Sequence, residues 1–139
     1  MIKLDIDTHQ FDKWLRHFRT AYTLLRSKEG IFLTIAKVKE TRKGYHVYIA
    51  GKYLPFRTIL FFECLLGSDP KKQLYAYTER ADILFQNKNN GRSIERSAKS
   101  ETKKLNRAIR QINRAHVTHR IYEFKSSLSS SLFPLNLYT

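Results

Sequence analysis

The 139-residue chain carries 26 Lys or Arg against 12 Asp or Glu, and its formal net charge at pH 7 is +14. Its length fits one domain with a modest core, and a hydrophobic share of 42% excludes a wholly disordered chain. No apolar run approaches the roughly 20 residues of a membrane-spanning helix. The charge excess predicts a polyanionic partner. We expect nucleic acid and no membrane, an anionic membrane surface being the weaker alternative.

The first half of the chain alternates between strand and helix patterns. Residues 2–6 alternate apolar and polar, which predicts a strand, and an aromatic stripe at helical spacing then predicts a helix that ends before Gly30. Residues 31–39 and 45–50 predict two more strands. The polar connection between them contains Gly44 and suits a hairpin.

The order of the predicted elements indicates the fold class. A second helix over 55–66, with Gly67 as its stop, precedes an expected fourth strand over 73–78. The order strand, helix, strand, strand, helix, strand is that of the ferredoxin-like fold, a split βαβ arrangement that RNA-recognition motifs share. We therefore expect an α+β domain over residues 1–85, with an antiparallel sheet, both helices on one face, and the first and third strands as central neighbours.

Polar side chains repeat on alternate positions of the first and third predicted strands. Asp5 and Asp7 share one face of the first strand, and His46 and Tyr48 share one face of the third. If these strands are neighbours, two carboxylates and an imidazole converge on one surface, and such carboxylates need a cation or basic groups to neutralise them. The alternative is that the aspartates cap the next helix and His46 is an ordinary surface histidine.

The second part of the chain is strongly basic. We expect a basic helical extension over 86–125, with a further strand over 117–125, and a Ser-rich and apolar tail over 126–139 as a candidate surface for homo-oligomerisation. A narrow apolar seam in the extension leaves a broad basic arc suited to phosphate backbones, although such a face can also be merely solvated. The residues predicted to contact nucleic acid are Arg42, Lys43, His46, Tyr48, Arg92, Arg96, Lys103, Lys104, Arg107, Arg110 and Arg114.

Two motifs resemble those of the archaeo-eukaryotic primase superfamily. Asp5 and Asp7 match its Asp-x-Asp motif, and the run from Arg42 to His46 matches its basic-Gly-aromatic-His motif. A later stretch, 65–85, with the strings Leu-Leu-Gly-Ser-Asp-Pro-Lys-Lys and Ile-Leu-Phe, is similar to small primase-related proteins of archaeal viruses and plasmids. The resemblance implies that the aspartates hold a divalent metal and that His46 contacts the phosphates of a nucleotide.

The chain departs from that family where catalysis needs a third acid. A two-metal site requires a further carboxylate, and the expected fourth strand contains none, while Glu79 and Asp82 are out of register. The RNA-recognition motif is a rival resemblance, because Lys43-Gly44-Tyr45 fits its third-strand signature. Val47, however, stands where that motif places an aromatic ring that stacks on a base.

These observations predict a non-catalytic, primase-derived nucleic-acid-binding protein that acts in replication or genome handling of a virus or plasmid, with DNA favoured over RNA. Two alternatives stay open. One is a metal-dependent nucleotidyltransferase or nuclease that uses Asp5, Asp7 and His46, and the other is a structural protein that packages nucleic acid or an RNA binder like the RNA-recognition motif. We expect no cofactor beyond weak Mg²⁺ or Mn²⁺ at the two aspartates. The single cysteine, Cys64, fits a reducing compartment, so we expect the cytoplasm, that of the host cell if the protein is viral.

Overall fold

A computed structural model of the chain describes residues 1–52, 54–79 and 95–132, with side chains described as far as residue 116. Within these ranges the protein is an α+β structure with a four-stranded antiparallel sheet and four helices. No helix among the described residues is long and apolar enough to cross a membrane. The elements in chain order are β1 (Ile2–Ile6), α1 (Phe11–Lys28), β2 (Leu33–Glu40), β3 (Tyr45–Gly51), α2 (Phe56–Leu65), α3 (Pro70–Glu79), β4 (Arg96–Ser97) and α4 (Lys99–Leu132).

The sheet has the order β1-β3-β2-β4, so β3 lies between β1 and β2. The predicted pairing of the first and third strands is therefore confirmed, with Asp5 directly opposite His46. The two-residue β4 pairs with the end of β2, where Arg96 lies opposite Glu40. In the ferredoxin-like arrangement expected from the sequence, a fourth strand would instead lie beside β1.

The core lies between one face of the sheet and the helices α1 and α4. The predicted aromatic stripe of α1 is buried throughout, from Phe11 to Leu25. Val38 and Val47 of the sheet and Leu105 and Ile109 of α4 are each 0% exposed in the same cluster. The basic extension therefore contributes side chains to the core that the first three strands build.

The predicted strand over 73–78 is wrong, because these residues belong to α3. Pro70 occupies the first helical position, where its missing N–H costs nothing, and the Asp69 side chain accepts a hydrogen bond from the Lys72 N–H at 3.2 Å. The buried residues of this helix, Lys72, Gln73 and Ala76, follow a helical period. The exposed Leu74 and Tyr77, which suggested a strand, lie on the solvent side.

The predicted strand over 117–125 is also wrong, because α4 continues without a break through these residues. Extending an existing helix costs little, since each further residue adds one backbone hydrogen bond. A strand there would also need a free sheet edge, and side chains already occupy both edges. The predicted boundary at residue 85 lies outside the described residues.

Side chains of α4 bind the backbone at the outer edge of β2. Asn106 accepts a hydrogen bond from the Ala36 N–H at 2.8 Å and donates one to the Ala36 carbonyl at 2.9 Å. Thr102 accepts from the Val38 N–H at 3.0 Å, and Asn113 donates to the Leu33 carbonyl at 2.9 Å. The helix thus replaces part of a neighbouring strand, which leaves fewer open groups for edge-to-edge association.

The turn between α2 and α3 covers the outer edge of β1 in a similar way. The Lys3 N–H donates to the Glu63 carboxylate at 2.7 Å, and the Asp5 N–H donates to the Ser68 hydroxyl at 3.0 Å. Asp69 returns a backbone hydrogen bond to the Asp5 carbonyl at 2.7 Å. Glu63 is fully buried and forms an ion pair of 3.0 Å with the equally buried Lys72. These contacts occupy the place of the expected fourth strand.

The hairpin between β2 and β3 requires glycine at position 44. A Cβ atom there would collide with the Ile6 carbonyl and lie 2.7 Å from the Thr8 nitrogen, both of them backbone atoms. The close approach ties the hairpin to the end of β1. This contact holds the turn residues Arg42 and Lys43 near the residues that follow β1.

Candidate functional site

A group of polar side chains lies on the outer face of the sheet, which is the face opposite the core. His46 and Tyr48 point to this face because Tyr45, Val47 and Ile49 are buried in the core, as parity predicts. His46 is nevertheless only 3% exposed, since a carboxylate covers it. That carboxylate belongs to Glu95, which the sequence analysis did not single out.

Three donors converge on the Glu95 carboxylate. His46 Nδ1 lies 2.6 Å and the Tyr48 hydroxyl 2.9 Å from Oε1, while Lys39 Nζ lies 3.3 Å from Oε2. A carboxylate only accepts hydrogen bonds, so His46 donates from Nδ1. On the other side of the ring, Nε2 lies 3.7 Å from Oδ1 of Asp5. We call Asp5, Lys39, His46, Tyr48 and Glu95 the outer-face cluster.

The cluster shifts the pKa values of its acids in opposite directions. Burial of the Glu95 carboxyl would raise its pKa, but the hydrogen bonds from His46, Tyr48 and Lys39 outweigh it, and the pKa of Glu95 is lowered. Burial raises the pKa of Tyr48, and the hydroxyl's hydrogen bond to the Glu95 carboxylate adds to the rise. The pKa of Asp5 is raised, chiefly by burial, despite the nearby His46. The cluster therefore stabilises the charged form of Glu95.

The predicted metal ligands Asp5 and Asp7 have different surroundings. Asp5 faces His46, Asp7 is exposed, and the Asp69 carboxylate caps α3. The described residues contain no group of three or more His, Cys, Asp or Glu side chains that could hold a metal ion. The proximity of Asp69 and Asp7 raises the pKa of Asp5 further, so the local charge is acidic.

A second site lies on the solvent side of α4. At about 100° per residue, five of the six exposed cations among residues 99–116 fall within an arc of about 80°, next to the residues that bind the β2 edge and opposite the buried seam. The apolar seam predicted at Leu105 and Ile109 is confirmed as buried. These five cations, which we call the basic arc, are Lys99, Lys103, Arg107, Arg110 and Arg114.

Two shallow grooves border the basic arc. One has a volume of about 530 Å³ and is lined by Ser100 and Lys104 together with three residues of the arc. The other, of about 260 Å³, lies between α4 and the start of β2, where Ile35 is 62% exposed. Lys103 and Arg110 line both grooves, so these two cations stand between them.

Lys104 forms an ion pair with a neighbouring helix. Its Nζ lies 3.0 Å from the Asp12 carboxylate of α1, so part of its charge is already compensated. Both side chains are exposed, at 49% and 71%, and such a pair contributes little to stability. Lys104 therefore lies at the margin of the basic surface and not at its centre.

The remaining predicted contacts lie near the start of α4 or outside the described residues. Arg42 and Lys43 are exposed in the hairpin turn, directly after Glu40, which pairs with Arg96 of β4. They therefore lie at the end of the sheet where α4 begins. Arg92 falls outside the described residues.

Sequence reasoning missed Glu95 for a physical reason. It is far along the chain from His46, in a short stretch with no strand or helix period, and it stands next to Arg96 in a basic segment. The only available signal was an isolated acid among cations. The requirement that a buried imidazole have a partner could not be applied, because the burial of His46 was not foreseen.

The chain was compared with known proteins at three levels, and no family model, curated protein or solved structure matched it. The functional argument therefore rests on the outer-face cluster and the basic arc.

Proposed function

We propose that the protein binds nucleic acid through the basic arc of α4 and acts without catalysis. The observation that carries this proposal is the alignment of Lys99, Lys103, Arg107, Arg110 and Arg114 on one exposed face of a helix in a chain of net charge +14. A row of cations on a fixed element neutralises phosphates and releases their counterions, which supplies most of the affinity in non-specific binding.

The hairpin cations extend this surface. Arg42 and Lys43 are exposed at the end of the sheet where Arg96 and Lys99 begin the C-terminal helical region. Their position favours a strip of positive charge that runs from the turn along α4. Phosphate contacts of this kind set the position of a protein on nucleic acid and carry no base-sequence information.

We further propose that the domain derives from a primase-like ancestor with a ferredoxin-like sheet, and that DNA is its preferred partner. Asp5 and His46 lie opposite one another on adjacent strands, which is the placement that the two resembling motifs would need. Against catalysis, the Glu95 carboxylate is engaged by His46, Tyr48 and Lys39. The outer-face cluster is then a structural remnant, and the binding function has moved to α4.

Fluorescence anisotropy with labelled nucleic acid tests the proposal. The triple variant K103Q/R107Q/R110Q should lose about 100-fold in affinity at about 100 mM salt, because three phosphate contacts are removed. Glutamine has a helix propensity similar to Lys and Arg, so the helix should persist. The matched control is K52Q/R57Q/K71Q, which removes the same charge from exposed positions elsewhere. Equal losses in both triples would show that only net charge matters and would refute a role for the basic arc.

A separate assay tests the absence of catalysis. Template-dependent nucleotide incorporation is measured with Mg²⁺ and with Mn²⁺, for the wild type and for Asp7→Asn. We expect no incorporation in either protein. Incorporation by the wild type that is lost in the variant would establish the metal-dependent enzyme instead.

A further inference from the structure

We propose that the ligand of the basic arc is the phosphate backbone of a double helix and not a single strand. This inference rests on the proposed function and names the form of nucleic acid that the surface fits. It follows from three features of α4, namely its rigidity, the spacing of its cations and the residue types around them.

The arc is held rigidly against the sheet. Next to the cations, Thr102, Asn106 and Asn113 bind the backbone of β2 through four hydrogen bonds of 2.8 to 3.0 Å. On the far side of the arc, Arg19 of α1 donates to Gln111 at 3.0 Å. Both flanks of the arc are therefore anchored to the rest of the domain, so the helix backbone that carries the cations has little freedom to follow a flexible strand.

The spacing of the cations suits a regular array of phosphates. Lys99 and Arg114 are fifteen residues apart, which is about 22 Å at 1.5 Å per residue. A duplex holds its phosphates in a regular array along its surface, so a row of cations on a fixed helix can meet several of them at once. A duplex already holds its phosphates in order, whereas a single strand would lose conformational entropy to match a rigid array.

Within the part of α4 whose side chains are described, the basic surface lacks the aromatic groups on which single strands stack. Proteins that bind single strands interleave cations with aromatic rings on which the bases stack. Residues 99–116 of α4 contain no Phe, Tyr or Trp. The exposed aromatic ring of Phe32, at the start of β2, is covered by the Arg26 guanidinium at 4.9 Å from its centroid. In the adjoining groove the exposed apolar residue is Ile35, which offers no ring.

The test compares three labelled probes of one sequence and about 20 nucleotides per strand: duplex DNA, its single strand, and duplex RNA. Anisotropy titrations at about 100 mM salt use the full chain and the variant K103Q/R107Q/R110Q. We expect duplex DNA to bind at least tenfold more tightly than the single strand. The variant should lose most of the duplex affinity, while the matched control K52Q/R57Q/K71Q, which leaves the basic arc intact, should lose far less.

Each outcome decides a separate question. Single-stranded DNA that binds as tightly as the duplex, or more tightly, refutes this inference and leaves nucleic-acid binding intact. No binding of any probe refutes the proposed function itself. Duplex RNA bound as tightly as duplex DNA supports the inference and assigns the ligand to the backbone of either double helix. A variant with full duplex affinity places the duplex elsewhere on the protein and overturns the inference.

Discussion

The replacement Glu95→Gln removes the charge on which the outer-face cluster depends while keeping the side-chain shape. Glu95 is 10% exposed and accepts from His46 and Tyr48 at 2.6 and 2.9 Å, with Lys39 at 3.3 Å. A hydrogen bond to a charged group contributes about 1.5–3 kcal/mol, and glutamine retains one neutral acceptor. We therefore expect a loss of about 2 kcal/mol. For a chain of this size that lowers the unfolding midpoint by about 8 °C.

Thermal unfolding followed by circular dichroism measures this change. The matched control is Glu40→Gln, because Glu40 is 51% exposed and its carboxylate lies 3.8 Å from Nε2 of His9. The control should shift the free energy of unfolding by less than about 0.5 kcal/mol. A Glu95→Gln protein as stable as its control would show that the three contacts contribute nothing, and the account of the cluster would fail.

The pH dependence of the same comparison follows from the lowered pKa of Glu95. A carboxyl whose folded pKa lies below its ordinary value of 4.5 stabilises the fold above that value and loses this contribution as the pH falls through the folded pKa. The stability gap between the wild type and Glu95→Gln should therefore be largest above pH 4.5 and should narrow below it. A gap that widens on acidification would contradict the assigned charge.

Three further substitutions test other parts of the structure. Asp5→Asn should raise the unfolding midpoint at neutral pH, because the pKa of Asp5 is raised above 3.8 and its charged form is disfavoured in the fold. The gain in stability should vanish below pH 3.8, where the carboxyl is protonated in both the folded and the unfolded protein, and a loss of stability at neutral pH would contradict the assignment. Asn106→Leu should cost about 2 kcal/mol in urea unfolding, since it leaves the N–H and carbonyl of Ala36 unpaired, and an unchanged midpoint would show that α4 does not bind the β2 edge. Gly44→Ala should cost several kcal/mol, because its Cβ would meet the backbone of β1, and a protein of wild-type stability would refute the close approach.

The element order predicted which strands are neighbours, and strict strand parity predicted which side chains face the same way. Once Val47 and Ile49 are assigned to the core, His46 must face the other way, and two neighbouring strands then bring Asp5 opposite it. In α4, the helical spacing of Leu105 and Ile109 correctly predicted which face of the helix is buried.

The replacement of the expected fourth strand by the helix α3 could not be foreseen from the sequence. Sequence patterns assign charged residues to the surface, but Lys72 and Glu63 are fully buried because they pair with each other. The exposed Leu74 and Tyr77 completed the misleading pattern of a strand. The hydrogen bond between the Glu63 carboxylate and the edge of β1 leaves no periodic pattern in the sequence. The contact between Glu95 and His46 leaves none either.

The salt dependence of binding tests the central claim most directly. For the wild type and K103Q/R107Q/R110Q, the observed association constant with duplex DNA is measured across a series of salt concentrations. Each phosphate contact contributes about 0.9 to the slope of log K against log salt, so the slope of the variant should be shallower by about 2.7. Equal slopes for the two proteins would mean that the basic arc of α4 does not contact phosphates, and the proposed mode of binding would be wrong.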